Sequence, residues 1–262
     1  MVNEKPGKSH LVADKHVVVT GGARGIGFAV ATHLAGLGAR ITIMGRDEAA
    51  LSAAVARQPG MQWQAADITN GGAVAAAFER ACTVQGPIEM LVNNAGAASS
   101  APFSKTSQSL WDSMLAINLT GMFLCQRQVI DAMREAGFGR IVNVVSTAGL
   151  IGYAYVAAYC AAKHGAIGLT RALALETARD GITVNAVCPG FTETDLLEDS
   201  LKNIMDTTGR SREDAEKSLK AVNPQRRFIQ PEEIATTVAW LCSHGAGSIT
   251  GQSIAVAGGE VM

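Results

Sequence analysis

No block of lysine and arginine interrupts this sequence: 22 basic and 23 acidic residues are spread over 262 positions, for a formal net charge of −1. It therefore lacks the electrostatic footprint of a nucleic-acid binder, and no nucleic-acid partner is expected. Cysteine is scarce. The five residues Cys82, Cys125, Cys160, Cys188 and Cys242 form no C-x-x-C pair and show none of the His/Cys spacing of a zinc site, so they read as reduced thiols with no metal centre. There is no uninterrupted apolar stretch of membrane-spanning length and no signal-peptide core, which predicts a cytoplasmic chain with no membrane partner. Neither a Pro/Gly/Ser linker nor an internal repeat divides the chain. With 48% hydrophobic residues there is material for one large core, so a single domain is expected over 14–262, after a flexible segment over 1–13.

What is present is an alternation of short β-branched runs with longer Gly/Ala-rich helical stretches, the pattern of stacked βαβ units. Strands are predicted at His16–Thr20, Arg40–Met44, Gln62–Ala66, Glu89–Val92, Arg140–Val145, Thr183–Val187 and Ser253–Val256. Helices are predicted at Ile26–Gly36, Asp47–Arg57, Gly72–Val84, Ser107–Glu135, Tyr155–Arg179 and Pro231–His244. The expected architecture is α/β: a single doubly wound, Rossmann-type parallel sheet of seven strands with helices on both faces. Residues 194–222 break the rhythm with a charged, helical insert, a candidate substrate lid.

The first strand runs straight into Thr20-Gly21-Gly22-Ala23-Arg24-Gly25-Ile26-Gly27 and then into a helix. A glycine turn in that position lets backbone approach a pyrophosphate, while the helix N-terminus supplies free N–H groups and partial positive charge. After the second strand the chain reads Met44-Gly45-Arg46-Asp47. The place where an NAD-selecting fold usually carries a carboxylate for the ribose falls on Gly45, and Arg46 with Arg24 could instead pair with a 2′-phosphate. NADP(H) is thereby favoured, with NAD(H) possible if a shift of register brings Asp47 to the ribose.

Tyr159 and Lys163 lie four residues apart, hence on one face of a helix. A lysine charge ~5 Å from a phenol, at an effective dielectric of ~20, favours the phenolate by ~3 kcal/mol, roughly two pKa units. Ser146 follows the apolar run Ile141–Val145, at the strand edge where open α/β sheets place their sites. In these spaced motifs, from about His16 to the C-terminus, the sequence resembles the short-chain dehydrogenase/reductase family. Thr20-Gly21-x-x-x-Gly25-Ile26-Gly27 is similar to the family's cofactor turn, and Asp67-Ile68 to its adenine contact. Asn93-Asn94-Ala95-Gly96 resembles the segment beside the cofactor, and Pro189-Gly190 with Thr194 the segment flanking the nicotinamide. Asn118, Ser146, Tyr159 and Lys163 match the catalytic tetrad. The resemblance implies that Tyr159 exchanges a proton with the substrate oxygen, that Ser146 orients that oxygen, that Lys163 depresses the phenol and binds ribose, and that Asn118 holds a water in a relay to Lys163. Ala257, in Val256-Ala257-Gly258-Gly259, departs from the Asp that relatives often carry there.

The general layout, with Asn185–Phe191 and Arg226–Pro231, looks most like the branch that reduces 3-oxoacyl thioesters and polyketide carbonyls. A small-molecule or acyl-thioester substrate, on coenzyme A or an acyl carrier protein, is expected. Lys202, Arg210, Arg212, Lys217 and Lys220 of the insert could meet carrier phosphates, although interleaved acids also fit a plain solvated surface. Other readings are a reductase of a free ketone or secondary alcohol, an NAD-dependent 3-hydroxyacyl-CoA dehydrogenase, and a non-catalytic cofactor-binding regulator, which loss of Tyr159 or Lys163 would signal. The helices have more apolar face than one sheet can cover, and the resemblance implies a homotetramer.

Overall fold

The computed structural model describes residues 12–262. The expected flexible segment lies outside the described residues up to position 11, while Val12 is already buried in the core. Seven strands follow: β1 (His16–Thr20), β2 (Arg40–Gly45), β3 (Gln62–Ala65), β4 (Met90–Asn93), β5 (Gly139–Val144), β6 (Ile182–Pro189) and β7 (Ser253–Val256). All are parallel, in the order β3-β2-β1-β4-β5-β6-β7. The chain thus starts in the middle of the sheet, builds outward to β3, and returns past β1 to build the other half. This reversal opens a crevice at the carboxyl ends of β1 and β4, where ligands bind in open α/β sheets.

Strand residues alternate between two cores because side chains of a strand point to opposite faces. Val17, Val19, Ile41 and Ile43 pack with α1 (Gly25–Gly36), α2 (Glu48–Arg57) and α10 (Pro231–Leu241). Val18, Leu91, Ile141 and Val184 pack on the other face with α3 (Gly71–Gln85), α5 (Gly121–Arg127) and α6 (Ile130–Ala136). The expected doubly wound sheet with helices on both faces is what forms.

Most elements fall within a few residues of expectation, and the differences with a structural cause lie in the helices. The single helix expected over Ser107–Glu135 is broken into α4 (Gln108–Leu115), a π-helical turn over Ala116–Thr120, α5 and α6. The extra residue of the π turn sits at Asn118, whose side-chain amide bonds the Met114 carbonyl at 3.1 Å and so competes with the backbone ladder. Helix α7 (Ala157–Thr177) starts two residues later than expected, because Tyr155 has a left-handed backbone with φ 69°. The insert folds as a hairpin of α8 (Asp195–Thr208) and α9 (Arg212–Lys220). Leu197, Leu201, Ala215 and Phe228 give it a small apolar cluster of its own, separate from the sheet cores.

Candidate active site

The turn after β1 is built for close approach. Gly21 has φ 64°, and a Cβ on Gly27 would stand 2.2 Å from the Gly21 carbonyl oxygen. Asn94, just after β4, holds the turn by donating to the carbonyls of Thr20 and Gly21 at 3.1 and 3.2 Å. The Thr20 hydroxyl in turn accepts the Asn94 and Ala95 N–H groups. The N-cap of α1 is Arg24, which makes no side-chain cap, and the first turn holds no acid. The leading N–H groups of α1 therefore stay available to an anion. The turn, the uncapped helix and the missing Cβ at Gly27 fit a dinucleotide pyrophosphate.

At the adenine end, Asp47 is occupied elsewhere: its carboxylate caps α2 by accepting the Ala50 N–H at 3.0 Å. Gly45 ends β2, and a Cβ there would make only ordinary contact with Leu51 at 3.6 Å. Arg46 is exposed and its charge acts on Asp67. The Asp67 carboxyl is held below its ordinary range, first by the Thr69 backbone N–H and hydroxyl and then by Arg46. Ile68 is buried under Gly121, where a Cβ would meet its side chain at 2.6 Å. Arg24, the second guanidinium expected at a 2′-phosphate, is exposed and bonds Asp195 at 3.2 Å. The Thr194 methyl lies over Gly25, bringing the start of the insert to the glycine turn.

The four matched catalytic residues gather at the carboxyl end of β5. The Ser146 hydroxyl is held by the Ala148 N–H at 3.1 Å, and it lies near enough to the Tyr159 phenol to pull its pKa down. Lys163 is buried, donates to the Val144 carbonyl at 3.2 Å, and stands 5.6 Å from the centre of the Tyr159 ring. Asn118 is buried as well. Its amide donates to the Ala97 carbonyl at 2.8 Å, and its carbonyl oxygen accepts the Ala97 N–H at 3.3 Å. A Cβ on Gly96 would stand 2.8 Å from that carbonyl oxygen and 3.7 Å from Lys163 Nζ, so the lack of a side chain at Gly96 lets the two groups approach each other.

The expected depression of the phenol by Lys163 is not found among the protein's own groups. Burial pushes Tyr159 up to about 12, and the Ser146 hydroxyl pulls only weakly the other way. Burial lowers Lys163 to about 8. The ammonium is aimed at the Val144 carbonyl, so desolvation of both groups outweighs their attraction.

Sequence reasoning missed a second hydroxyl chain. Tyr153, in the connection between Ser146 and α7, bonds both Thr147 and Glu260, a residue near the C-terminus. Both lie in loops, where no periodic signal could have linked them. Beneath β4 and β5, buried Asn143 accepts from Asn93 and Gln126 and donates to Thr170, tying the strand under Ser146 to α7. A pocket of about 310 Å³ opens between α8, α9 and Phe228, but none of the four matched residues lines it; it is a seam within the insert rather than the reaction cleft. Among the described residues no helix is long and apolar enough to cross a membrane, and all five cysteines are free.

The comparisons with known proteins agree with this geometry. The model of the short chain dehydrogenase family matches residues 15–204. An acetoacetyl-CoA reductase of Rhizobium meliloti is 37% identical over 93% of this chain and 97% of its own. A D-beta-hydroxybutyrate dehydrogenase of Cupriavidus necator is 34% identical over 96% and 99%. Among solved structures, a tryptophan-substituted form of the actinorhodin polyketide ketoreductase with NADPH superposes with a TM-score of 0.91 at 36% identity, covering 97% of this chain and 99% of that one. The family model spans most of the chain and these relatives align over nearly their whole lengths, so the chain belongs to the short chain dehydrogenase family and is a nicotinamide-dependent oxidoreductase.

Proposed function

We propose that the protein reduces the 3-oxo group of an acyl thioester, carried on coenzyme A or an acyl carrier protein, with NADPH as the preferred cofactor. The observation that carries this reading is the Ser146–Tyr159–Lys163 cluster at the mouth of a glycine cradle whose ribose end presents Arg46 and no free carboxylate at Gly45 or Asp47. The relatives named for acetoacetyl-CoA and polyketide reduction support the substrate class.

Gly21, Arg24, Gly25, Ile26 and Gly27 would hold the pyrophosphate, Arg46 the 2′-phosphate, Asp67 and Ile68 the adenine. Asn94, Ala95, Gly96, Pro189, Gly190 and Thr194 would flank the nicotinamide, with Lys163 on its ribose. When bound, the cofactor supplies the hydride. Ser146 donates a hydrogen bond to the substrate oxygen, and this bond strengthens as alkoxide character develops. Tyr159, protonated at neutral pH, gives its proton to that oxygen. The buried Lys163 ammonium favours the phenolate left behind, and Asn118, through Ala97 and a bound water, would line the path by which the proton is replaced. The α8–α9 hairpin would close over the acyl chain, and four copies would assemble. Loss of NADPH absorbance with acetoacetyl-CoA, run against simple ketones and against NADH, tests the reading. Faster turnover of a plain ketone or of NADH would overturn the corresponding half of it.

A further inference from the structure

Glu260 is presented to the site by its own backbone. After β7, Gly258 and Gly259 take φ 62° and 92° and fold the chain back, so that Glu260 lies beside Gly190 at the end of β6. There its Oε1 meets the Tyr153 hydroxyl. A phenol has one proton and a carboxylate has none, so Tyr153 donates to Glu260 and accepts from the Thr147 hydroxyl at 2.8 Å. Burial, and next the Glu260 bond, hold the Tyr153 phenol well above its ordinary range, which keeps it protonated as a fixed donor. Thr147 is the neighbour of Ser146, so the chain Thr147–Tyr153–Glu260 starts one residue from the proposed contact of the substrate oxygen and ends beside Gly190.

The second carboxylate oxygen is the unusual part. Oε2 of Glu260 is buried and has no hydrogen-bond partner among the described residues, and a Cβ on Gly190 would be 2.8 Å from it. Nor does any ion pair among the described residues involve Glu260. An acceptor atom out of contact with solvent and without a donor is costly unless a ligand completes it, and a carboxylate there repels an anion. The protein as a whole, with a net charge of −1, has no comparable long-range field.

We propose that Glu260, oriented by Tyr153, is a charge filter in the substrate site: it admits neutral 3-oxo compounds, esters and thioesters, and rejects the corresponding free 3-oxo acids. The proposal rests on the reading of the 3-oxoacyl site above and refines it. Discrimination of this kind comes from a repulsive element aimed at the wrong ligand. It would keep a thioester reductase from acting on the acid released when the thioester is hydrolysed.

The test compares methyl acetoacetate with acetoacetate in wild type, Glu260→Gln and Tyr153→Phe. Two ratios of ester to acid are measured: kcat/KM with NADPH, and dissociation constants on the NADP⁺-loaded protein by intrinsic fluorescence. Wild type should favour the ester by at least tenfold in both ratios. In Glu260→Gln, which keeps an acceptor for Tyr153 but removes the charge, the preference should fall at least tenfold. Tyr153→Phe, which frees the carboxylate, should give an intermediate value. Part of the wild-type preference should survive 0.5 M salt, because Oε2 is out of contact with solvent although Glu260 itself is only partly buried. Ratios that do not move in Glu260→Gln overturn the filter while leaving the reductase reading intact. Binding ratios that move without any turnover support the filter and overturn the reading, and an ester that does not bind overturns both.

Discussion

Tyr159 and Lys163 sit one helical turn apart, and their environment sets what each can do. With burial holding the phenol at about 12, Tyr159 is protonated at neutral pH, the form that carbonyl reduction needs, and its phenolate, the form that alcohol oxidation needs, is scarce. Tyr159→Phe removes only the transferable proton. Its turnover should drop by ~10²–10⁴-fold with NADPH affinity near wild type, as measured by steady-state kinetics beside cofactor fluorescence titration. Retention of more than about a tenth of the rate would deny Tyr159 its role. Alcohol oxidation needs the phenolate, so its rate must rise with pH. Lys163 favours that phenolate while it carries its charge, which burial confines to pH below about 8. Lys163→Ala should therefore move the rise in oxidation kcat/KM to higher pH and weaken the cofactor as well. A profile superposable on wild type from pH 6 to 10 would leave Lys163 with ribose binding alone.

Helices and strands bring these residues together, and they differ in how plainly the sequence announces them. The central strands were legible from β-branched runs, because a strand buried on both faces has little freedom in composition, whereas the edge strand β3, Gln62–Ala65, has no β-branched residue and is only partly buried. The glycine turn was legible because a missing Cβ is the only means of bringing Gly27 against Gly21. The break in the helix after Ser107 was not, since Ala116–Thr120 has ordinary helical composition and only the Asn118 side chain, bonded to Met114 and Ala97, rewards the π turn. The net position of the Tyr159 pKa was misjudged for a similar reason: spacing reports distance along a helix and says nothing of desolvation. At the β2–α2 junction one Asp47 oxygen caps α2 while Arg46 stands exposed, which supports the proposed NADPH preference. Arg46→Ala should lower the NADPH over NADH ratio of kcat/KM, and Gly45→Asp, for which there is room, should swing it by roughly ten- to a hundredfold toward NADH. An unaltered ratio in Arg46→Ala would show that Arg46 is only a surface charge. At the start of α10, Glu233 accepts two bonds from Arg227 and one from the Gln230 N–H, which hold its carboxyl at about 2. A carboxyl lowered in the folded state contributes stability above its unfolded value of 4.5 and loses it as pH falls toward 2. The melting temperature of Glu233→Gln should lie below wild type at pH 7, and the two should converge by pH 2 to 3. A constant gap would mean that the carboxylate charge contributes nothing.

For the molecule as a whole, the balance of charge and exposed apolar surface favours self-association. A net charge of −1 leaves copies almost without mutual repulsion at neutral pH. Large apolar side chains stand out from the helical layer: Leu175 on α7 is 82% exposed and Phe123 on α5 is 42% exposed. Fully burying one such side chain is worth ~1.5–3 kcal/mol, and in a two-fold interface each contribution is made twice. The helices concerned are the ones that carry the catalytic residues: α7 holds Tyr159 and Lys163, and α5 continues directly from the π turn of Asn118. Association along this face would brace the scaffold behind the site without entering it. For the four-copy assembly proposed above, light scattering coupled to gel filtration at micromolar concentration should show four copies for wild type, and Leu175→Asp should shift the protein to two copies or one. The variant should retain its helical circular dichroism, because so exposed a side chain leaves no cavity in its own chain when replaced. Its reductase rate should fall and its melting temperature should become dependent on concentration, as expected when folding and assembly are linked. A wild-type protein that runs as a single copy, or a Leu175→Asp variant that remains four copies, would exclude this face as the interface.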